Sequence, residues 1–447
     1  MNKRAFLKMS AALLTGAALP RDLDGGQRNT ERNWAGNVEY STVRIHHPKT
    51  RDQVRQVVKS CRKLRALGTR HAFNRIADST ENLVSLRHLD QVLALDKESR
   101  TVTVGAGMRY GELSEYLHKN GFALHNLASL PHISIAGACA TATHGSGVKN
   151  GNLATAVVGL DLVTADGQLL TLSRDKDGDR FNGAVVALGG LGIVTAVTLE
   201  IQPTFSVRQD VYRNLPLEQL RTHLDEILAS GYSVSLFTDW RQDTVNQVWV
   251  KTRVGEETGQ PELFDAKLAT KNLHPIAELS AENCTEQMGV AGPWHERLPH
   301  FRLNFTPSSG EELQSEYFVP RAHALQALTA VDGLRDRIAP HLLISEVRTI
   351  DADRLWMSPS YQQPCLAIHF TWKPDWPAVR NVLPAIEGAL EPFDVRPHWG
   401  KLFTISSSRL SARYQQLPAF RDLLTEYDPQ GKFRNAFLET HLGVRNG

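Results

Sequence analysis

Cysteine is scarce in this 447-residue chain: there are four, Cys61, Cys139, Cys284 and Cys365, scattered and unclustered. That excludes a disulfide scaffold and a cysteine-rich zinc site, and leaves buried thiols. Charge of one sign is also missing. Fifty Lys and Arg against 48 Asp and Glu give a net charge of +2, so nothing electrostatic points to nucleic acid or a membrane surface. The sequence has no internal repeat and no low-complexity tract, which excludes solenoids and low-complexity arrays. The apolar run at residues 9–19 is too short to span a bilayer. What remains, 41% apolar and 22% charged, is an ordinary globular composition in a chain too long for one domain.

The N-terminus reads as an export signal followed by a linker, residues 1–29. A basic head, Lys3-Arg4-Ala5-Phe6-Leu7-Lys8, precedes the apolar run, and Gly16-Ala17-Ala18 offers a cleavage site. The head resembles a twin-arginine signal with Lys3 in place of the first arginine. Periplasmic or secreted protein is the expectation, a cytoplasmic one with a frayed N-terminus the alternative.

Beyond it, short strands alternate with helices. Thr50 with Gln53 reads as a capping box, and Val54, Val57, Val58 and Cys61 fall on one helical face. Strands are expected at 63–67, 91–95, 100–104, 157–164, 168–172 and 193–201. A second α+β segment after Pro203 has strands at 232–237, 247–252, 316–319, 342–349 and 365–372, with helices at 217–228, 321–334 and 376–390. The fold class is α+β with two domains and a boundary near 203.

Two familiar motifs fail on spacing. Gly105-Ala106-Gly107-Met108-Arg109-Tyr110 puts Tyr110 where a Rossmann loop needs its third glycine, so a tight strand-to-helix turn explains it. His295-Glu296-Arg297-Leu298-Pro299-His300 sets its histidines five apart with a proline between, which excludes a zinc-protease helix. No metal is expected.

Three other regions carry chemistry. Gly68-Thr69-Arg70-His71-Ala72-Phe73-Asn74 places a histidine in a tight turn after a strand. Ser129-Leu130-Pro131-His132-Ile133-Ser134 runs on to Thr141-Ala142-Thr143-His144-Gly145-Ser146-Gly147, where hydroxyls and glycine backbone suit a pyrophosphate. Late in the chain, Glu346 with Arg348 and His369 with Thr371 stand at i, i+2, so each pair shares one strand face. With Gln314 and His398-Trp399-Gly400-Lys401 they suggest a polar pocket, in which Arg348 and Lys401 could stabilise developing negative charge.

These stretches resemble the vanillyl-alcohol-oxidase-type flavoproteins, in particular the aldonolactone oxidase branch and its bacterial alditol (xylitol) oxidases. The likeness runs from Asn33-Trp34-Ala35-Gly36-Asn37 to the end. It includes Ser235-Leu236-Phe237-Thr238-Asp239-Trp240, Gly292-Pro293-Trp294-His295-Glu296-Arg297-Leu298-Pro299 and Asp428-Pro429-Gln430-Gly431-Lys432-Phe433. It implies an FAD-binding domain at 30–203, a substrate domain at 204–395, and a C-terminal segment at 396–447 that returns to the FAD domain. It puts FAD contacts on Ala66, Leu67, Gly68, Thr69, Arg70, His71, Ala72, Ser129, Ser134, Gly137, Thr141, Ala142, Thr143, His144 and Val194, with a covalent tether on His71. It assigns the polyol to Ser129, Glu346, Arg348, Thr371 and Lys401, to which the residue pattern adds Gln314 as a partner for substrate hydroxyls. Catalysis falls to Arg348, Lys401, His369 and Glu346.

The reaction implied is hydride transfer from a terminal carbinol to flavin N5, with His369 or a water taking the hydroxyl proton and dioxygen leaving as hydrogen peroxide. A sugar-1,4-lactone oxidase or dehydrogenase is the alternative enzyme, and a non-catalytic flavin-binding protein the alternative of another class. The partners are then a small polyol and dioxygen, without nucleic acid or membrane insertion; the oligomeric state stays open, monomer included. The likeness breaks at two places. The family loop reads Gly-x-Gly-His-Ser, whereas Arg70 replaces its second glycine and Ala72 its serine. Arg70 must meet any positive φ that turn needs, and could pair with the pyrophosphate instead.

Overall fold

The computed structural model describes residues 30–256, 262–304 and 312–444; the export-signal expectation lies outside them. Three sheets matter for the site. Residues 92–200 build a five-stranded antiparallel sheet ordered Val92–Asp96, Thr101–Gly105, Ile193–Glu200, Val157–Val163, Leu169–Ser173. Its last two strands form a hairpin, with Gly167 at φ +80 in the turn. A small parallel sheet beside it joins Ile45–His46, Leu83–Ser85 and Arg65–Leu67. The third sheet is larger and antiparallel. Its central order is Ser206–Pro216, Thr244–Arg253, Ser233–Thr238, Leu342–Ile350, Cys365–Trp372, Leu313–Pro320 and Arg396–Pro397. The architecture is α+β.

Local chemistry explains most of these elements. The helix Arg51–Ser60 starts where the Thr50 hydroxyl accepts the Gln53 N–H at 3.2 Å, and it buries Val54 and Val58 completely. The reciprocal half of a capping box does not form: the Gln53 side chain accepts from Lys49 N rather than from Thr50 N. The strand at Arg65–Leu67 is shorter than the run 63–67, because Leu64 N donates instead to Lys432 O of the C-terminal segment.

Alternation sorts the large sheet's two faces. Tyr317 donates its hydroxyl to Glu387 on the helix Trp376–Leu390 at 2.9 Å, so the odd positions of its strand face the helical layer. Gln314 and Glu316, at even positions, therefore face the other way, toward the first domain. Register carries that face across neighbouring strands. Glu316 lies opposite His369, which lies opposite Glu346, and Gln314 lies opposite Thr371.

Candidate active site

Between that sheet face and the first domain lies a cavity of about 610 Å³, which runs from the His71 loop to the polar rows. Two glycines shape its first-domain wall. A Cβ on Gly68 would stand 2.5 Å from Ser134 Oγ, and one on Gly137 would stand 2.9 Å from the same atom. A side chain at either position would force the Ser134 hydroxyl to move, so glycine keeps the loop close to the helix start. Ser134 N–H donates to Thr69 Oγ1 at 3.1 Å, and Thr141 donates to Gly137 O at 3.2 Å. A helix, Ile135–Ala140, opens here, in a stretch that composition alone reads as loop. The backbone cradle, the short hydroxyls and the helix start fit the pyrophosphate of a dinucleotide such as FAD.

The His71 loop is held from both sides. Trp34 N–H donates to Arg70 O at 2.8 Å, and Asn33 Nδ2 donates to Ala72 O at 2.9 Å. On the other side Phe73 N–H donates to Gly400 O at 2.8 Å, while Asn74 Nδ2 donates to Trp399 O at 2.8 Å and Lys401 O at 2.7 Å. The Trp34 ring lies 5.1 Å from that of His71, tilted by 32°. Burial, with Lys401, His132 and Arg70 nearby, pushes the His71 imidazole down to about 3. It is neutral at physiological pH, with a lone pair free for bonding.

Arg70 does adopt the left-handed conformation, φ +66, that the family glycine would take without strain. Its guanidinium pairs with Glu31, not with the cradle. Ala142 is the one expected FAD contact that does not line the cavity: it is 1% exposed, has φ +52 and packs in the core. The other expected FAD contacts, Val194 among them, all line it.

The catalytic end is an ionic lattice. Arg348 Nη2 donates to Glu316 Oε1 at 2.7 Å, Nη1 donates to Ser129 Oγ at 3.3 Å, and Nε stands 3.5 Å from Glu346 Oε1. His369 Nε2 is 3.2 Å from Thr371 Oγ1, and its Nδ1 is 3.6 Å from Glu316 Oε2. Lys401 Nζ donates to Gln314 Oε1 and sits over the Phe73 ring, 4.7 Å from its centre. His144 Nε2, expected among the phosphate contacts, instead stands 3.2 Å from Glu316 Oε1.

Charge states follow from this arrangement. Burial alone would raise both Glu316 and Glu346. For Glu316, His144, Arg348 and His369 overcome it; for Glu346, Arg348 and His300 do. Both carboxyls fall below the ordinary range and stay ionised. Burial lowers His369, against the pull of Glu316, and keeps it neutral, able to accept a proton. Burial brings Lys401 down to about 8, partly opposed by Glu316.

Every expected substrate and catalytic residue, Ser129, Gln314, Glu346, Arg348, His369, Thr371 and Lys401, lines this one cavity. Sequence reasoning missed Glu316 and His300, and named His398 for the polar pocket without giving it a role; all three line it too. Glu316 stands one strand period from Gln314, and that spacing could have found it. No local signal marks His300 as a partner of Glu346. Among the described residues, no group of His, Cys, Asp and Glu could hold a metal ion.

Known proteins share this organisation. The family described as FAD binding domain matches residues 44–173, and that described as D-arabinono-1,4-lactone oxidase matches residues 307–441. An alditol oxidase from a Streptomyces species is 52% identical over 414 residues, 92% of this chain and 98% of the relative. An L-gulono-1,4-lactone dehydrogenase from Mycobacterium tuberculosis is 29% identical over 433 residues, 92% of this chain and 98% of the relative. A solved cholesterol oxidase from B. sterolicum shares the fold, with a TM-score of 0.74 at 16% identity, over 96% of this chain and all of the other. With an FAD-binding half and this cavity in place, the chain belongs to the alditol oxidase family of aldonolactone-oxidase-type flavoproteins and is an FAD-dependent oxidoreductase acting on CH–OH.

Proposed function

We propose that the protein oxidises the terminal hydroxyl of alditols to the aldose, with dioxygen as the electron acceptor. The observation that carries this is the pair of polar rows, Gln314–Thr371 and Glu316–His369–Glu346, flanked by Arg348 and Lys401 at one end of the cavity. A linear chain of hydroxyls needs donors and acceptors spaced along its length, and a site built that way rejects analogues lacking them. The alditol oxidase relative supports the same reading.

When bound, FAD would accept the electrons from the carbinol and pass them to oxygen. The carbinol loses two electrons and two protons, and dioxygen takes up both as hydrogen peroxide. Arg348 and Lys401 lower the cost of negative charge on the reacting oxygen. Neutral His369, backed by ionised Glu316, takes the hydroxyl proton. The test is peroxide release with xylitol, sorbitol and mannitol, run beside aldonolactones under oxygen and with an artificial acceptor under argon. Peroxide from the alditols at the higher kcat/KM supports the proposal. Turnover of lactones alone assigns the lactone reading, and no turnover at all leaves a flavin-binding protein.

A covalent bond from His71 to the flavin belongs to the same reading, supported by the neutral ring beside Trp34. Wild-type protein precipitated in acid should keep its yellow colour in the pellet, and His71→Ala should lose it to the supernatant. A colourless wild-type pellet would refute the tether while leaving FAD binding intact. Export through a twin-arginine-like signal at residues 1–29 completes the proposal, resting on sequence alone.

Lys401 gives a pH prediction. A lysine depressed to about 8 is cationic below that pH and loses its charge above it. We expect kcat/KM to decline as pH rises through about 8, and Lys401→Arg, charged throughout, to move that decline upward. A profile flat to pH 10 would show that the Lys401 charge does not contribute.

A further inference from the structure

Beyond Glu346, a buried chain of polar groups takes no part in the reaction as described. Lys251, on the strand Thr244–Arg253, is 1% exposed, and among the described residues its ammonium meets no carboxylate directly. It donates to the carbonyls of Leu298 and Pro299, the latter at 3.1 Å, and stands 3.1 Å from His300 Nδ1. His300 Nε2 in turn stands 2.7 Å from Glu346 Oε1. Trp249 and Phe237 close the sides of the His300 ring edge-on, with centres 5.1 and 5.4 Å away, and the His300 backbone N–H donates to Ser129 O at 3.1 Å.

Glu346 is an ionised carboxylate and can only accept, so the ring nitrogen facing it must donate and Nδ1 is left to accept from Lys251. That assigns the ring hydrogen to Nε2, which then donates to Glu346. Burial and the Lys251 charge push the His300 imidazole down to about 4, so the ring is neutral with this single N–H. Burial lowers Lys251 itself to about 7, opposed by the attraction of Glu346. Cys284, Arg348 and Glu346 are the other charged or titratable groups around this pair. Both contacts to the Glu346 carboxylate, from His300 and from Arg348, fall on Oε1, which leaves Oε2 to a hydroxyl in the cavity.

We propose that Lys251 and His300 are positioning residues that fix the tautomer of one ring and thereby hold the Glu346 carboxylate as an oriented acceptor for a substrate hydroxyl. The role rests on the polyol reading, whereas the tautomer does not. Lys251 sets the ring, the ring sets Oε1, and the aromatic walls keep water from replacing either bond. A carboxylate held this way pays no ordering cost when substrate arrives.

Two measurements test this. In the flavin-loaded enzyme with 15N-labelled histidine, the His300 signal, assigned by its loss in His300→Gln, should show a protonated Nε2 and an unprotonated Nδ1 without any substrate. Lys251→Met should disturb that signal. Kinetically, His300→Leu should raise KM for xylitol about 10–100-fold, the worth of a buried hydrogen bond to a charged group, with kcat changed less than about threefold. His300→Gln, whose amide can still donate to Glu346, should recover most of the loss. A proton on Nδ1, a doubly protonated ring, an unchanged KM in His300→Leu, or glutamine no better than leucine would each overturn the proposal. Should His300→Leu fail to fold, the wild-type tautomer decides alone. Absence of alditol turnover in wild type would refute the function and leave the tautomer readable.

Discussion

Arg348→Leu is expected to slow anaerobic bleaching of the flavin band by an alditol about 10²–10³-fold, the range for losing one preorganised donor at a developing oxyanion. The substitution does more than remove a donor. Arg348 is the cation shared by Glu316, at 2.7 Å, and Glu346, at 3.5 Å, and all three side chains are at most 7% exposed. Without it two buried carboxylates lose their shared cation and keep only histidine partners, His144 and His369 at Glu316 and His300 at Glu346, and breaking a buried pair in this way costs about 3–5 kcal/mol. The melting temperature should therefore fall together with the rate. Arg348→Lys separates the two effects. A lysine keeps one charge but not the planar fork that reaches Glu316 and Ser129 at once. Much of the stability should return while the rate stays low. Full recovery of the rate with lysine would show that charge alone carries the function of Arg348.

The second large effect is expected far from the chemistry, at Arg65. This residue is 3% exposed and donates to four carbonyls: Ile76, Leu188 at 2.8 Å, Gly189 at 2.8 Å and Phe433 at 2.7 Å. Burial lowers its guanidinium to about 10, partly offset by Asp428, so it stays cationic at neutral pH. One side chain thus ties the strand leading into the His71 loop to the segment before Ile193–Glu200 and to the C-terminal segment. Arg65→Met would take this donor from the buried carbonyls of Leu188, Gly189 and Phe433, while Ile76 O keeps Asn435 Nδ2 at 3.1 Å, at about 1–3 kcal/mol for each one that water cannot reach. A loss of at least about 3 kcal/mol is expected, read as a lower urea midpoint at unchanged slope. Flavin content of the purified protein should fall with it. Unchanged stability would mean that water replaces the guanidinium fully.

Much of this was legible in the sequence because period is a local property. The helices Leu217–Leu228 and Trp376–Leu390 fall where the apolar spacing puts them, and the i, i+2 pairs at Glu346 and His369 do share one sheet face. What the sequence could not show is registry between distant segments. Local geometry soundly excludes His300 as a zinc ligand, yet its partner Glu346 lies 46 residues on, with the strand Leu313–Pro320 and two helices between its loop and that carboxylate's strand. The parallel sheet of Arg65–Leu67 is equally hidden, since strands of two or three residues carry no period of their own. Ala142 lies off the cavity lining for the opposite reason. A run of small and hydroxylated residues reads as one loop, but its middle residue turns into the core at positive φ.

The bonds from Phe73 and Asn74 to residues 399–401 join groups up to 327 positions apart in the chain. They set a timetable for biosynthesis. The N-terminal half emerges first and can pair its own strands, but its cofactor loop stays without these supports until residues 399–401 have emerged. Flavin capture is thereby tied to the end of translation, and a chain cut short before residue 399 would fold its early sheet yet present an incomplete loop. Holding the cofactor becomes a mark of a finished chain.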